Sequence, residues 1–403
     1  MTASTIDTVN EVPEQSGSWS GVLAISVCAF ALVASEFLPV SLLTPIADDL
    51  GVTEGMAGQG IAISGAFAVL TSLFISALAG SLNRKTLLLG LTAAMGVSGA
   101  IVALAPNYVT YMLGRALIGV VIGGFWSMSA ATAIRLVPNR DVPRALALVN
   151  GGNALATVVA APLGAWLGTF IGWRGAFLCL VPIALVALAW QWKALPSMQA
   201  AARSSGLGSA FKVFTLLKRP AVMIGMLASS LFFMGQFSLF TYVRPFLETV
   251  TDVHGTDISL VLLVIGAAGF IGTLLIGQVL QWRFFQTLMV MPLLMALIAV
   301  ALTIFGHWTA IVVVLLGLWG LIGTSAPVGW WSWIAMVFPK DAEAGGGLFV
   351  AVVQLSIALG STLGGLLFDH SGYQATFFAS AAMLLLAAFL AFLTSCSPMR
   401  QAN

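Results

Sequence analysis

Two charged residues, Glu36 and Arg115, stand inside long apolar stretches, whereas the other charged residues fall near the ends of such stretches or between them. If these stretches are membrane-spanning helices, both residues lie roughly 11–12 Å from the outer helix ends. A charge at mid-bilayer costs about 2.5–3.5 kcal/mol on insertion scales, so such residues usually face a cavity or pair with each other. Burial favours a neutral acid, while a nearby Arg115 would favour the carboxylate. The pattern predicts Glu36 as a proton carrier with Arg115 as its electrostatic partner, and the alternative is a static ion pair joining two helices.

A second group of residues combines amides with aromatic rings. Trp126 lies on the same helical face as Arg115, because eleven residues make about three turns. The other candidates for contact with a ligand are Asn150, Asn153, Gln236, Phe240, Tyr242, Trp330 and Gln354. Rings stack on the faces of a flat molecule and amides bind its edge groups, so this set predicts a flat, polar and mostly uncharged ligand.

Some of these residues have simpler interpretations. Trp330 stands in the segment "GWWSWIAM" with Trp331 and Trp333, and all three could anchor the membrane interface or face lipid. Asn153 and Gln354 could form hydrogen bonds between helices without touching a ligand. Both interpretations stay open from the sequence.

The composition predicts a protein that lies in a lipid bilayer. Of the 403 residues, 60% are hydrophobic and 7% are charged, against roughly 25% charged residues in soluble domains. The net charge of +2 is too small to indicate a nucleic-acid partner or to exclude one, and none is expected. Cys28, Cys179 and Cys396 lie in or near separate apolar segments, so neither a disulfide framework nor a metal site is expected.

Helices of about 20 apolar residues span a bilayer, and the sequence contains runs of that length throughout. We predict twelve spans, at 19–43, 56–79, 86–105, 108–135, 144–170, 174–193, 220–246, 257–281, 285–305, 308–337, 345–368 and 373–396. The predicted fold class is therefore all-α integral membrane. The runs are too long for the strands of a membrane barrel.

The distribution of Lys and Arg predicts the direction of insertion. With a cytoplasmic amino terminus, thirteen of the sixteen basic residues fall on the inner side, two (Arg174 and Arg244) fall outside, and Arg115 is intramembrane. Both termini are then cytoplasmic. We expect a disordered tail at 1–18, a six-helix bundle at 19–193, a cytoplasmic linker at 194–219 that forms an amphipathic surface helix, a second bundle at 220–396 and a tail at 397–403.

The chain repeats itself at an offset of 200 residues. Residues 162–177, "PLGAWLGTFIGWRGAF", share five identical positions with 362–377, "TLGGLLFDHSGYQATF". Gly119 and Gly320 correspond with a slip of one residue. Span 5 thus matches span 11 and span 4 matches span 10. Two parallel six-helix halves with a site between them are the architecture of major facilitator transporters.

Several stretches resemble a known family. The segment "GRALIGVVIGG" is similar to the span 4 motif of the twelve-span drug:proton antiporter branch of the major facilitator superfamily, and its arginine is Arg115. Two other motifs are degenerate: in "SLNRKT" Asn83 stands in place of an aspartate, and "AAPLGAWLG" has Ala161 where the motif has glycine. Within the branch, "EFLPVSLLTPIADDLGVTEGMAGQ", "GGFWSMSAATAIRLVP", "FTYVRP" and "PVGWWSWI" are similar to the purine ribonucleoside efflux pumps, in the same order.

The resemblance implies a proton-linked exporter of nucleosides such as inosine and guanosine. It would be a multi-pass protein of the bacterial inner membrane and a monomer, whose partners are its solute, protons and lipid. The proton gradient would supply the energy, and no cofactor is expected. Since the same branch also exports drugs and sugars, a multidrug or sugar antiporter is the alternative.

The residues themselves also bear on other classes of membrane protein. A passive facilitator or an importer of the same fold stays open. The sequence contains no Walker-type motif, so this chain supplies no ATP-driven transport. A membrane-embedded enzyme is not expected, because His254, His307 and His370 lie at outer loops or span ends, apart from each other and from the cysteines.

Overall fold

The structure is a computed structural model that describes residues 18–79, 82–138, 141–198, 219–337 and 342–396. Within these ranges the chain is helical apart from short turns and loops and contains no strand. The helices are α1 (Trp19–Ser41), α2 (Leu43–Leu50), α3 (Glu54–Ala79), α4 (Arg84–Ala103), α5 (Tyr108–Arg135), α6 (Val142–Leu178), α7 (Leu180–Ala194), α8 (Pro220–Phe240), α9 (Val243–Thr249), α10 (Thr256–Phe305), α11 (Thr309–Val337) and α12 (Ala342–Cys396). The predicted tails and most of the predicted linker lie outside the described residues.

The described helices provide twelve crossings of a membrane. Nine segments are long and apolar enough to span, and three of them contain 49 to 51 residues, about twice the length that one crossing needs. The backbone breaks inside each of these three, at Gly172, Arg283 and Gly372. Each long segment is therefore a pair of crossings joined by a tight turn, which confirms the twelve-span, all-α membrane fold.

The repeat predicted from the sequence is visible in the backbone. Gly172 has φ 69° and ψ 168°, and Gly372, which is 200 residues later, has φ 79° and ψ 177°. Both conformations are open essentially to glycine alone. Short helices also occur at matching places, because α2 follows α1 as α9 follows α8.

Two predicted spans end earlier than the apolar run. Span 1 was expected to reach residue 43 and span 7 to reach 246, but α1 stops at Ser41 and α8 stops at Phe240. The chain turns at Leu42 (φ −121°, ψ 13°) and at Tyr242 (φ −105°, ψ 16°) before α2 and α9 begin. Hydrophobicity continues through both turns because the short helices pack against the protein, so an apolar run alone could not locate them.

Helices α1–α7 and helices α8–α12 form two halves that meet along two main contacts. In one, α3 packs against α12, and in the other, α6 packs against α10. The approach is close: a Cβ atom on Gly266 of α10 would lie 2.6 Å from the carbonyl oxygen of Val158 on α6. The absence of a side chain at Gly266 therefore allows these backbones to touch.

Hydrogen bonds join the two halves at one end of the bundle. The charge pattern predicts that this is the outer end. The carboxylate of Asp369 on α12 accepts hydrogen bonds from Thr53 Oγ1 at 2.6 Å and from the backbone N–H of Gly55 at 3.0 Å. Arg244 donates to the carbonyl oxygen of Ser41 in the other half. These contacts close the outer end in this conformation.

The break at Gly372 should be required for folding. We predict that Gly372→Ala lowers the free energy of unfolding by about 1–3 kcal/mol, because a Cβ atom disfavours the observed φ and ψ. Thermal unfolding in detergent measures the effect. Gly277→Ala is the matched control, since Gly277 lies within helix α10 and neither glycine has an atom within 4 Å of an added Cβ. Equal melting temperatures for the two variants would contradict the assignment.

Candidate functional site

Glu36 lies on α1, half-buried at the contact between the two halves. Its partner comes from the other half: Gln354 Nε2 on α12 donates a hydrogen bond to Glu36 Oε1 at 3.3 Å. Gln354 is 7% exposed, so the packing of α12 fixes its side chain in place. The carboxylate predicted from the sequence thus sits where a movement of the halves would change its surroundings.

Arg115 is fully buried and binds three oxygen atoms on neighbouring helices. Its Nη1 donates to the Ser35 carbonyl at 2.8 Å, its Nε to the Gly60 carbonyl at 3.1 Å, and its Nη2 to Ser64 Oγ at 3.2 Å. Within the described ranges it forms no ion pair with Glu36. The arginine therefore joins α5 to α1 and α3 through uncharged acceptors, and a static ion pair is not what the structure contains.

Glycine on α5 makes this network possible. A Cβ atom at Gly119, one turn from Arg115, would lie 2.2 Å from the carbonyl oxygen of Ser64. Helices α5 and α3 are therefore in backbone contact, which brings Ser64 and Gly60 within reach of the guanidinium. Because Arg115 holds the carbonyl of Ser35, it also fixes the backbone immediately before Glu36.

Aromatic rings from both halves meet at Phe37, the residue that follows Glu36 on α1. Phe37 contacts Phe237 at a centroid distance of 6.2 Å and Phe240 at 6.5 Å. Trp126 and Phe37 are both half-buried against one small cluster of residues on α1 and α6, which consists of Val33, Ala34, Ala156 and Ala160. Two predicted residues, Phe240 and Trp126, thus lie near Phe37, the residue that follows the acid.

Phe37 and Phe237 are part of this ring cluster and were not predicted. A signal for them exists in the sequence, because they are separated by the repeat offset of 200 and Phe37 follows Glu36 directly. The same offset relates Glu36 to Gln236. Gln236 is half-buried on α8, and its Oε1 has no hydrogen-bond partner within the described structure. The second half therefore carries a neutral amide where the first half carries an acid.

The structure places the four other predicted residues on α6, at the turn between α8 and α9, and on α11. Asn150 is exposed and donates to the Leu146 carbonyl of its own helix at 3.0 Å, and Asn153 is half-buried on the same helix. Tyr242 is fully buried, and its hydroxyl donates to the Ser361 carbonyl at 2.8 Å. Trp330 is 2% exposed and packs against other rings inside the second half.

These placements add two observations to the sequence interpretation. In this conformation Tyr242 and Trp330 are packed among other side chains, and their contact with a ligand stays a prediction. Of the three neighbouring tryptophans, Trp330 and Trp333 are buried inside the protein and only Trp331, at 44% exposure, faces outward. Trp330 and Trp333 are three residues apart and share one face of α11, whereas Trp331 lies on another face. Composition alone could not show which of the three rings is buried.

The network around Arg115 should be structural as well as electrostatic. We predict that Arg115→Lys lowers the free energy of unfolding, because a single ammonium group cannot make all three hydrogen bonds and each bond to a charged group contributes about 1.5–3 kcal/mol. The melting temperature in detergent measures this change. Arg174→Lys is the control, since Arg174 pairs with Asp49 at a position where both side chains are more than a third exposed. A loss no larger than in the control would show that the buried bonds do not stabilise the fold.

Comparison with known proteins places this geometry in context. A family model described as Major Facilitator Superfamily matches residues 25–344, which is most of the chain.

Two kinds of relatives are similar over nearly their full length. The "Transcription regulatory protein OpdE" of Pseudomonas aeruginosa is 85% identical over 395 residues, covering 98% of each chain. The "Purine ribonucleoside efflux pump NepI" of Salmonella paratyphi B is 38% identical over 373 residues, covering 93% of each chain, and the protein of the same name in Salmonella typhimurium matches to the same extent.

Proposed function

The chain belongs to the Major Facilitator Superfamily, and from that premise we propose that it is a proton-coupled exporter of small organic solutes, with purine ribonucleosides such as inosine and guanosine as substrates. In this proposal one site faces the two sides of the membrane alternately. Protons move inward and solute moves outward. The protein is a transporter and not an enzyme.

The position of Glu36 is the observation that carries the proposal. Glu36 is half-buried at the meeting of the two halves, and its hydrogen bond to Gln354 crosses between them. It has no ion pair with the buried Arg115 within the described structure, so its charge is not held permanently. An acid whose solvation depends on the arrangement of the halves can take a proton on one side and release it on the other.

The rings around Phe37 support a flat solute. Phe37, Phe237, Phe240 and Trp126 offer aromatic faces from both halves, and Gln236 offers an amide oxygen with no protein partner. A purine base can stack on such faces while its edge groups bind amides. Relatives named as purine ribonucleoside efflux pumps favour the same class of substrate.

Removal of the acid should abolish coupling. We predict that Glu36→Gln, reconstituted in vesicles with an imposed pH gradient, loses uphill transport of inosine, because an amide cannot gain and lose a proton. Accumulation of radiolabelled inosine measures this loss. Glu54→Gln is the matched control, since Glu54 lies in the first turn of α3 at the predicted outer end. Uphill transport that continues unchanged in Glu36→Gln would eliminate Glu36 as the proton carrier.

The ring cluster should determine affinity for the solute. We predict that Phe37→Ala raises the KM for inosine roughly tenfold, since stacking on one ring contributes about 1–3 kcal/mol. Phe270→Ala is the control, because Phe270 is 45% exposed on the outer face of α10.

The measurement is counterflow of inosine, guanosine, a sugar and a cationic drug in the same vesicles. A preference for the sugar or the drug would favour a sugar or multidrug antiporter, and transport insensitive to the pH gradient would favour a passive facilitator.

The name of the relative that is 85% identical suggests a second function, transcriptional regulation. A nucleic-acid-binding surface needs clustered basic side chains. In this chain thirteen of the sixteen basic residues fall on the predicted inner side, but this is the distribution that orients any multi-pass membrane protein, so it does not by itself support direct binding to DNA. We propose that any effect of this protein on transcription follows from a change in the concentration of a transported solute. An electrophoretic shift of promoter DNA by the purified protein would contradict this.

A further inference from the structure

The hydrogen bond between Gln354 and Glu36 joins the two halves at the proposed proton site. Helix packing holds it there, because α12 lies directly against α3: a Cβ atom on Gly65 would be 2.8 Å from the carbonyl oxygen of Gln354. The bond has a length of 3.3 Å and its donor is 7% exposed. It is therefore a feature of the outer-closed conformation and cannot persist if α12 moves away from α1.

Few charged groups other than Glu36 lie at its depth in the membrane. Arg115 on α5 is the charged neighbour of Glu36, and Tyr111 lies one turn before it. Helices α8 and α11 contain no charged residue, and α3 contains one only in its first turn. Helices α6 and α10 contain them only in their first turns and at or just after their breaks, as Arg174 and Arg283. On α12 the nearest acid that follows Gln354 is Asp369, about four turns away, where it accepts the hydrogen bond from Thr53 at the outer end. The protonation state of Glu36 therefore dominates the strength of the bond.

The amide of Gln354 contacts the acid as a donor only. Its Nε2 donates to Glu36, and its Oε1 is buried and without a partner in the described structure. An ionised carboxylate only accepts hydrogen bonds, so it is the state of the acid that this donor stabilises most. A bond to a charged acceptor is roughly twice as strong as a bond between neutral groups. The connection between the halves is thus strongest when Glu36 carries no proton.

We propose that Gln354 is a positioning residue that keeps the outer end closed while Glu36 is ionised and no solute is bound. This inference rests on the proposed proton-coupled export. A carrier that reoriented while holding neither proton nor solute would let protons flow inward without export. The hydrogen bond from Gln354 to the ionised Glu36 opposes this reorientation of the empty carrier. A proton on Glu36 weakens the bond, and a solute beside Glu36 displaces the amide, so either one permits reorientation.

The conformational test measures distances between spin labels at the outer end without solute. Labels on Asp48→Cys and Asp257→Cys report the separation of the halves, since both positions are exposed. The exposed Cys179 and Cys396 are replaced by serine, and the buried Cys28 remains. In the otherwise native protein the closed population should be larger at alkaline than at acid pH. In Gln354→Leu the ratio of closed to open should fall about tenfold at alkaline pH and change little at acid pH.

Thr362→Val is the matched control for this measurement. Thr362 Oγ1 donates to Gln59 Oε1 at 3.1 Å, which is another hydrogen bond between α12 and α3. Its loss should reduce the closed population equally at both pH values, because neither group titrates. A selective effect at alkaline pH therefore identifies the ionised Glu36 as the partner of Gln354.

The transport test uses the same variants in vesicles. Gln354→Leu should raise the solute-free proton leak about tenfold, as judged by an internal pH dye, while counterflow of inosine continues at a reduced rate. Gln354→Asn retains the amide on a side chain one methylene shorter, so its leak should be intermediate. It also replaces Gln354→Leu in both tests if the leucine variant does not fold.

The outcomes separate this inference from the proposed function. If Gln354→Leu has the same proton leak and the same closed population as the native protein at alkaline pH, the proposed role of Gln354 is wrong. Complete loss of counterflow in a folded variant would overturn it too, since Gln354 would then bind the solute. If the native protein shows no gradient-driven export while Gln354→Leu still loses the closed state selectively at alkaline pH, the proposed export fails and the role of Gln354 in holding the closed state remains.

Discussion

An ionised carboxylate with little water around it must receive compensating interactions from the protein, and this constraint organises the centre of the structure. Glu36 receives a hydrogen bond from Gln354 and the electrostatic influence of Arg115. Arg115 itself is buried without a carboxylate partner in the described structure, and it is stabilised by two carbonyl oxygens and a hydroxyl. The protein therefore holds the positive charge fixed and leaves the negative charge adjustable. A proton carrier needs this asymmetry, whereas a structural ion pair would not.

The two halves share a backbone plan but divide the chemistry. Glu36 in the first half corresponds to Gln236 in the second at the offset of 200, and the adjacent Phe37 and Phe237 touch across the interface. With the offset of 201 that aligns Gly119 with Gly320, Arg115 corresponds to the buried Leu316. The first half thus carries the charged groups and the second carries neutral amides that can contact them. Movement of one half against the other changes the surroundings of the charges without burying a second acid.

The sequence predicted the fold well because the bilayer imposes few choices. Apolar runs of about 20 residues located the twelve crossings, and two of the three turns inside the long helical segments fall at Gly172 and Gly372, which the repeat had already paired. The site was predicted less completely. Glu36 and Arg115 could be found because charge is conspicuous in an apolar sequence. The surroundings of Tyr242 and Trp330 could not be predicted, since whether an aromatic residue lines a space or fills a core depends on the rotation of its helix. Gln354 could be identified as polar, but its contact with Glu36 across 318 residues of sequence required the packing of α12 against α3.

The central claim is that solute and proton compete for Glu36, and it can be tested directly on purified protein. In weakly buffered detergent solution, addition of inosine to the protonated protein should release about one proton per molecule, as followed by a pH-sensitive dye, because N–H and O–H groups of the nucleoside that donate hydrogen bonds to the carboxylate favour the ionised acid. The Glu36→Gln variant should release none while still binding inosine. Equal proton release from both proteins, or binding of inosine without any release from the native protein, would contradict the account.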